Sequence, residues 1–243
     1  MIMVKKKKIN KKLTAKTNIS LEELLEAGCH FGHAVSKVNP RMQDYIFIAR
    51  KGIHIFDLVK TKKCLEEAGN FLAELVSKGG KIIFVGSKRQ ASEAIKKTAQ
   101  GINVFYVANR WVGGLLTNWS QIEKNLEKMS DLKEELDKNK KEKSKFELNI
   151  LNRELQRLED LYGGIVGLKD LPQALLVVDV KRERTAVAEA KQLGIPIVAI
   201  VDTNGDPRDV DYVIPANDDA QGSIEYLLDK IGTMISKKQN DKK

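Results

Sequence analysis

Three aspartates occupy positions at which acidic side chains could carry catalytic chemistry. Asp179 and Asp202 each follow directly on a short apolar run, ALLVV and IVAIV respectively, and Asp206 lies in the turn after Asp202. The carboxyl ends of parallel strands are where α/β proteins usually place their sites, and carboxylate oxygens are ligands of Mg²⁺. The three residues therefore allow a magnesium-dependent phosphoryl-transfer enzyme. Ordinary turn chemistry around Asn-Gly and Asp-Pro is the alternative.

Cys29, His30 and His33 have the spacing of half a structural zinc site. Such a site needs four ligands, usually as two spaced pairs. The remaining histidine and cysteine of the chain are His54 and Cys64, which do not form a second spaced pair. The sequence therefore favours packed or RNA-facing side chains here over a zinc site. Two distant cysteines also indicate a reducing compartment rather than a disulfide framework.

The segment Gly86-Ser-Lys-Arg-Gln90 follows an apolar run and opens a predicted helix. Free N–H groups at a helix start suit a phosphate, and Lys88 and Arg89 add positive charge. The segment matches neither a P-loop nor a dinucleotide-binding fingerprint. A phosphate contact and a tight turn with surface cations are equal alternatives.

Both tryptophans of the chain lie in one stretch, Asn109-Arg-Trp-Val-Gly-Gly-Leu-Leu-Thr-Asn-Trp119. Arginine and aromatic side chains can contact phosphates and stack on exposed RNA bases. Alternatively, the tryptophans fill the base of a neighbouring helical segment, with the glycine pair as a bend. The two interpretations are compatible.

Short apolar runs alternate with helical segments along most of the chain. The runs lie at residues 81–85, 104–107, 174–178, 197–201 and 212–214. This alternation predicts right-handed βαβ units, with a five-stranded parallel sheet covered by helices on both faces. The fold class is therefore α/β, Rossmann-like or flavodoxin-like, with the body formed by residues 19–116 and 162–235.

Local signals define further elements around this body. Ser20 with Glu23, and Ser87 with Gln90, have the spacing of helix capping boxes. Two short strands are predicted at 45–48 and 52–56 around a turn, and a last helix is predicted over 220–235.

Residues 117–161 contain no predicted strand. They carry two stripes of apolar residues at helical spacing, joined by the polar segment KNKKEKS. This pattern predicts an inserted antiparallel α-helical hairpin of coiled-coil type. Its ten basic and eleven acidic residues over 121–161 make it a poorer RNA-binding candidate than the body.

The charge of the chain favours a polyanionic partner. The formal net charge is +9, and residues 1–18 form a basic N-terminal arm that carries Lys5, Lys6, Lys7 and Lys8. Such a lysine block predicts disorder in the free protein, and either phosphate contacts in a complex or a solvated tail that only aids solubility. Residues 236–243 form a short basic tail. No apolar run is long enough for a membrane span, and the N-terminus lacks the apolar region of a secretory signal.

Several long motifs together resemble one family, the bacterial-type small-subunit ribosomal protein two. In chain order they are AGCHFGH (27–33), NPRM (39–42), YIF (45–47), FVGSKR (84–89), RWVGGLLTNW (110–119), LPQAL (171–175), GIP (194–196), AIVDTN (199–204) and NDD (217–219). The resemblance runs from about residue 19 to residue 231. Many motifs in one order make it far more specific than a single glycine pattern.

The resemblance implies a non-catalytic component of the small ribosomal subunit, located on the solvent side between head and body. It implies binding to small-subunit rRNA and to neighbouring small-subunit ribosomal proteins. It also implies help in recruiting ribosomal protein one for translation, in the cytoplasm or in an organelle with its own ribosomes. No cofactor, metal, small-molecule substrate or membrane partner is expected. The rivals are the magnesium enzyme using Asp179, Asp202 and Asp206, and an extra-ribosomal RNA chaperone.

Cations and amide or aromatic side chains near the motifs are the expected RNA contacts. They are Lys5, Lys6, Lys7, Lys8, Lys37, Arg41, Arg50, Lys51, Lys88, Arg89, Arg110, Trp111, Asn118 and Trp119. Three features depart from the family pattern: Cys29 is unexpected, the lysine arm is long, and the tail is short and basic where many members have a longer acidic one.

Overall fold

The structure is a computed structural model that describes residues 19–138 and 144–241. Its centre is a parallel five-stranded sheet in the order β5-β4-β6-β7-β8. The strands are β4 Ile82–Val85, β5 Phe105–Val107, β6 Ala174–Val178, β7 Ile197–Val201 and β8 Tyr212–Pro215. Every residue of β4, β6 and β7 is buried, because both faces of the sheet are covered. The predicted α/β fold class is confirmed.

Alternate residues of the strands divide the core into two layers. Ile82, Phe84 and their neighbours in register pack under one group of helices. Those helices are α1 Leu21–Glu26, α2 Leu58–Ser77, α3 Arg89–Ile102 and α7 Gln221–Asn240. Ile83 and Val85 face the opposite layer with α6 Arg184–Gln192. None of the helices in the described part of the chain is long and apolar enough to span a membrane.

A second, three-stranded antiparallel sheet precedes the parallel sheet in the chain. Its strands are β1 Phe31–Ala34, β2 Ile46–Arg50 and β3 Ile53–Phe56, in the order β1-β3-β2. β2 and β3 confirm the predicted strand pair. Lys51 and Gly52 join them with φ angles of 51° and 78°, as a two-residue type I′ turn requires. β1 is too short and irregular to give an alternating pattern.

The predicted helical insertion corresponds to α4 Trp119–Lys138 and α5 Lys145–Tyr162. Asn125 near the start of α4 donates a hydrogen bond of 3.2 Å to Tyr162 at the end of α5, so the helices pair antiparallel. Lys133 and Glu159 add an ion pair at 2.7 Å. The coiled-coil geometry stays a prediction. Residues 139–143, in the predicted connecting loop, lie outside the described residues, as do residues 1–18 with Lys5, Lys6, Lys7 and Lys8, and the last two residues of the tail.

Three local predictions were wrong. Ser20 accepts a hydrogen bond from the backbone of Glu22, while Glu23 pairs with Lys230 rather than completing a capping box. Ser87 does not cap α3, because its backbone N–H and its hydroxyl both donate to a distant carboxylate. The last helix continues to Asn240 instead of ending at Ile235.

Candidate functional site

The carboxyl edge of the parallel sheet gathers six ionisable side chains. We call this group the inner cluster: His33, Lys88, Asp179, Asp202, Asp218 and Asp219. Asp179 and Asp202 follow β6 and β7, while Asp218 and Asp219 follow β8. The parallel topology brings these strand ends together, as the sequence predicted for Asp179 and Asp202.

Lys88 is the cation of the inner cluster. Its Nζ lies 3.2 Å from Asp179 Oδ2, 2.7 Å from Asp218 Oδ1 and 2.5 Å from Asp219 Oδ1. Only 11% of the side chain is exposed. Burial acts to lower the pKa of Lys88, but the charge of Asp218 and hydrogen bonds to Asp218 and Asp219 outweigh it and raise the pKa. The ammonium is therefore directed into the protein rather than presented to an outside phosphate.

The carboxyl group of Asp218 is the most deeply buried acid beside Lys88. Burial and the charges of Asp179 and Asp202 raise the pKa of Asp218 to about 7. Asp219 behaves in the opposite way. Burial acts to raise its pKa, but the hydrogen bond and charge of Lys88 outweigh burial and lower it. The pKa values of these consecutive aspartates therefore shift in opposite directions, because Asp218 is buried and Asp219 reaches solvent.

His33 is the member of the inner cluster that comes from the three-stranded sheet, which we call the small sheet. Its Nδ1 lies 3.1 Å from Asp202 Oδ1 and its Nε2 lies 3.2 Å from Asp219 Oδ2. The hydrogen bond to Asp202 raises the pKa of His33. The backbone N–H of His33 donates to Thr203 Oγ1 at 2.9 Å. A Cβ on the preceding residue, Gly32, would lie 2.6 Å from Thr203 Cγ2, so a glycine permits this approach.

Three members of the inner cluster have the donor atoms of a metal site. One ligand atom each from His33, Asp202 and Asp219 lie within 4.8 Å of one another. One imidazole and two carboxylates fit the ligand preferences of Zn²⁺. The Cys29-His30-His33 grouping is not part of this arrangement. Cys29 is buried, and burial raises the pKa of its thiol to about 11, which disfavours the thiolate that binds metals.

The magnesium grouping of three aspartates is not assembled. Asp206 pairs instead with Arg41 at 3.1 Å and with Arg208 at 2.9 Å. The hydrogen bond from Arg208 is the main cause that lowers the pKa of Asp206 to about 2. Asp179 binds Lys88, and Asp202 binds His33. Each aspartate therefore has its own protein partners, and the three carboxylates do not form one magnesium site.

The tryptophan-containing loop is organised by a carboxylate that the sequence analysis missed. Glu189 accepts hydrogen bonds from Trp111 Nε1 at 3.0 Å and from the backbone N–H groups of Gly114, Leu116 and Thr117 at 2.8, 2.9 and 3.2 Å. Burial acts to raise the pKa of Glu189, but these donors outweigh it and lower the pKa. The only sequence signal is its position on α6 next to the apolar positions that face the core.

Trp111 and Trp119 have different environments. Trp111 is 7% exposed and belongs to the core, so its ring fills the base of the helical insertion instead of facing an RNA base. Trp119 is half-buried, and its Nε1 donates to Glu123 at 2.9 Å. Asn118 is exposed. Of the three, Trp119 and Asn118 retain surface that a partner can contact.

The other predicted contacts are exposed cations. Lys37, Arg50, Lys51, Arg89 and Arg110 are exposed and form no ion pair with other described residues. They differ in this from Lys88, whose ammonium already has three carboxylate partners. Arg41 lies between these two cases. Its guanidinium pairs with Asp206, but the side chain remains half-exposed.

The three-stranded sheet and the short 3-10 helix that follows β1 carry exposed apolar side chains. We call this group the apolar sheet face: Phe31, Val35, Phe47, Ile48 and Ile53. Phe47 is 73% exposed. A cluster of large exposed apolar side chains often marks a protein–protein contact. Lys51 and Arg50 lie at the end of the same hairpin, so positive charge borders this face.

A comparison with known families agrees with the motifs and the fold. A family model described as ribosomal protein S2 matches residues 24–237, which is most of the chain. The match includes strands β1 to β8, helices α2 to α6 and all six members of the inner cluster. The chain therefore belongs to the ribosomal protein S2 family, whose members are structural, RNA-binding proteins of the small ribosomal subunit that act in translation.

Proposed function

We propose that the chain is a non-catalytic scaffold that binds small-subunit rRNA on the solvent side, between head and body, and helps recruit ribosomal protein one. The observation that carries rRNA binding is a set of exposed cations that form no ion pair within 4.0 Å in the described part of the chain: Lys37, Arg50, Lys51, Arg89 and Arg110. Such cations can neutralise phosphates and release their counterions. The family match supports the same assignment.

The absence of a catalytic role is part of the proposal. The acids at the sheet edge are engaged by Lys88, His33 and backbone N–H groups. Asp206 is held apart by two arginines. A fold of this type does not by itself imply nucleotide chemistry. The inner cluster accordingly acts as a structural clamp that fixes strand ends to one another and to the small sheet.

Recruitment of ribosomal protein one is assigned to the apolar sheet face. Phe47 is mostly exposed there, and burying such a side chain against a partner contributes about 1.5–3 kcal/mol. The bordering cations Arg50 and Lys51 suit an acidic segment of that partner, or adjacent rRNA.

The first experiment is sucrose-gradient sedimentation of the tagged full chain from lysate. The proposal expects near-stoichiometric migration with small ribosomal subunits at moderate salt. A Lys37→Glu, Arg50→Glu, Lys51→Glu variant should bind purified small-subunit rRNA at least about tenfold more weakly, with a smaller salt dependence. A folded chain that stays at the top of the gradient would contradict the ribosomal assignment of this protein.

A matched pair of phenylalanines tests the recruitment step. Phe47→Ser should leave migration with small subunits unchanged but reduce the ribosomal protein one that they carry. Phe146→Ser is the control, because Phe146 on α5 is 74% exposed, almost the same as Phe47. Equal losses in the two variants, or no loss in either, would remove the apolar sheet face from the proposal.

A further inference from the structure

A basic groove runs along α3 at the β5 edge of the sheet. We call it the α3 groove; its volume is about 1280 Å³, and it extends from Ser87 to Asn103 with a second wall that includes Asn109 and Arg182. From the first residue of α3 to Asn103 the helix rises about 20 Å. The groove is therefore long enough to follow several nucleotides.

One face of α3 lines the groove with polar side chains. Arg89, Ser92, Lys96, Gln100 and Asn103 recur at intervals of three or four residues, which places them on the same side of a helix. The opposite face of α3 is apolar and packs in the core. The cations therefore have fixed spacing on a rigid element.

Arg182 supplies a cation on the second wall. Its Nε donates to Ser87 Oγ at 3.2 Å, and its terminal nitrogen donates to the Ser87 carbonyl oxygen at 3.4 Å. The Ser87 hydroxyl in turn donates to the buried Glu183 at 2.6 Å. These contacts hold Arg182 at the mouth of the groove without neutralising it in an ion pair. A guanidinium fixed in this way suits a phosphate.

The charge of the groove is positive and mostly uncompensated. Among the described residues that line the groove, Glu93 is the one acid beside four cations, Arg89, Lys96, Lys97 and Arg182. Among the described residues none of the four cations has an ion-pair partner within 4.0 Å, although the charge of Lys97 acts on Asp229. Four cations against one carboxylate make an anionic backbone the matching ligand.

The side chains that line the groove differ from those used to recognise single-stranded RNA. Among the described residues no aromatic side chain lines it, although the hydroxyl of Tyr106 accepts a hydrogen bond from Gln100 at 3.1 Å. Single-strand binders stack bases on aromatic rings. Serine hydroxyls and side-chain amides line it instead, and these groups bind phosphates and 2′-hydroxyls. We infer that the α3 groove binds the sugar–phosphate backbone of duplex RNA independently of sequence. This inference rests on the proposed function and assigns a second rRNA surface, separate from the small sheet.

The test compares two charge-matched double variants of the full chain. Arg89→Glu with Lys96→Glu reverses the groove, and Lys237→Glu with Lys238→Glu reverses two exposed cations at the end of α7. Binding to a labelled RNA duplex of about 16 base pairs is measured by fluorescence anisotropy at about 50–200 mM salt. The groove variant should bind at least about tenfold more weakly and have a salt slope smaller by about 2. The control should change affinity by no more than about twofold.

Additional variants and RNA probes show which part of the inference is wrong when binding does not change as expected. Arg89→Lys with Lys96→Arg keeps the charge and should bind within about twofold of the unmodified chain. Equal weakening by the groove and control variants would show a net-charge effect and overturn the groove, while rRNA binding by the unmodified chain would still stand. A loss confined to a single-stranded oligomer would overturn the duplex assignment. Failure of the unmodified chain to bind small-subunit rRNA would overturn the proposed function itself.

Discussion

Lys88 and Arg89 are consecutive cations with opposite environments. Lys88 lies in the inner cluster with three carboxylates, whereas Arg89 lies in the α3 groove and has no acidic partner in the described part of the chain. The turn between β4 and α3 causes the difference. Lys88 is the extended residue before α3, and Arg89 is the first residue of the helix. A basic residue near a strand end is therefore available to a ligand only if its side chain points into solvent.

The two regions also use charge for different purposes. Buried ions are costly unless paired, so the inner cluster stabilises one arrangement of the strand ends and of β1. Exposed cations contribute little to folding but retain their charge for an outside anion. Substitutions in the inner cluster should accordingly change the free energy of unfolding. Substitutions of the exposed cations should change the affinity for RNA.

The largest effect is expected from Lys88→Met. It leaves Asp179, Asp218 and Asp219 without their common cation, and breaking a buried ion pair typically costs about 3–5 kcal/mol. Urea denaturation at neutral pH measures the free energy of unfolding. Arg89→Met is the adjacent control and should change it by less than about 0.5 kcal/mol. Similar values for the two variants would show that the inner cluster is not a clamp.

Glu189→Gln tests a buried charge whose partners are neutral donors. The substitution removes the charge that Trp111 and three backbone N–H groups stabilise, and should cost about 1.5–3 kcal/mol at neutral pH. Unfolding followed by tryptophan fluorescence, to which Trp111 and Trp119 both contribute, and by circular dichroism measures this loss. Glu225→Gln, on the exposed surface of α7, is the control and should cost under about 0.5 kcal/mol.

The difference in the free energy of unfolding between the unmodified chain and Glu189→Gln should depend on pH in a defined direction. The folded-state pKa of Glu189 is lowered, so its stabilisation is present above the unfolded value of about 4.3 and is lost as pH falls through the folded value. The gap between the unmodified chain and Glu189→Gln should therefore close in acid. A gap that stays constant from neutral pH down to about pH 3 would contradict an ionised Glu189.

Asp206→Asn examines a paired charge that is nearer to solvent. The carboxylate binds Arg41 and Arg208, and its pKa is lowered to about 2. Because the side chains of Arg41 and Arg208 are 47% and 61% exposed, we expect a loss of about 1 kcal/mol at neutral pH rather than the full value implied by the pKa. Its contribution is present above about pH 3.9 and is lost as pH falls through about 2. About 0.5 M salt should shrink the loss, and an undiminished loss would contradict solvent screening.

Most of the fold could be predicted from periodicity. Runs such as KIIFV and IVAIV are short and apolar throughout, which is typical of strands buried on both faces, and the structure has them at the centre of the sheet. β1 was missed because it pairs irregularly and its side chains show no alternation. The Ser87 capping box failed because Glu183, distant in sequence, competes for the same hydroxyl.

The site was harder to predict because it depends on tertiary contacts. The sequence located Asp179 and Asp202 at strand ends, but nothing local identifies Asp218 as their neighbour. Trp111 has the composition of a stacking residue, yet its partner is Glu189, far along the chain. Periodicity assigns a face to a helix or strand. It does not identify which cation of a loop is neutralised after folding.

The smallest expected effect separates folding from binding at one exposed cation. Lys51 has φ 51°, a left-handed conformation that asparagine adopts more readily than lysine, as Asn103 does at the end of α3 with φ 57°. Lys51→Asn should therefore raise the free energy of unfolding by about 0.5 kcal/mol in urea denaturation. The same variant should weaken binding to small-subunit rRNA, because it removes an unpaired charge. Lys51→Gly is the control for the turn and should show the same two directions. If either variant gained stability and kept full affinity with an unchanged salt slope, Lys51 would not contact rRNA. Each of the other exposed cations proposed to bind rRNA would then need its own test.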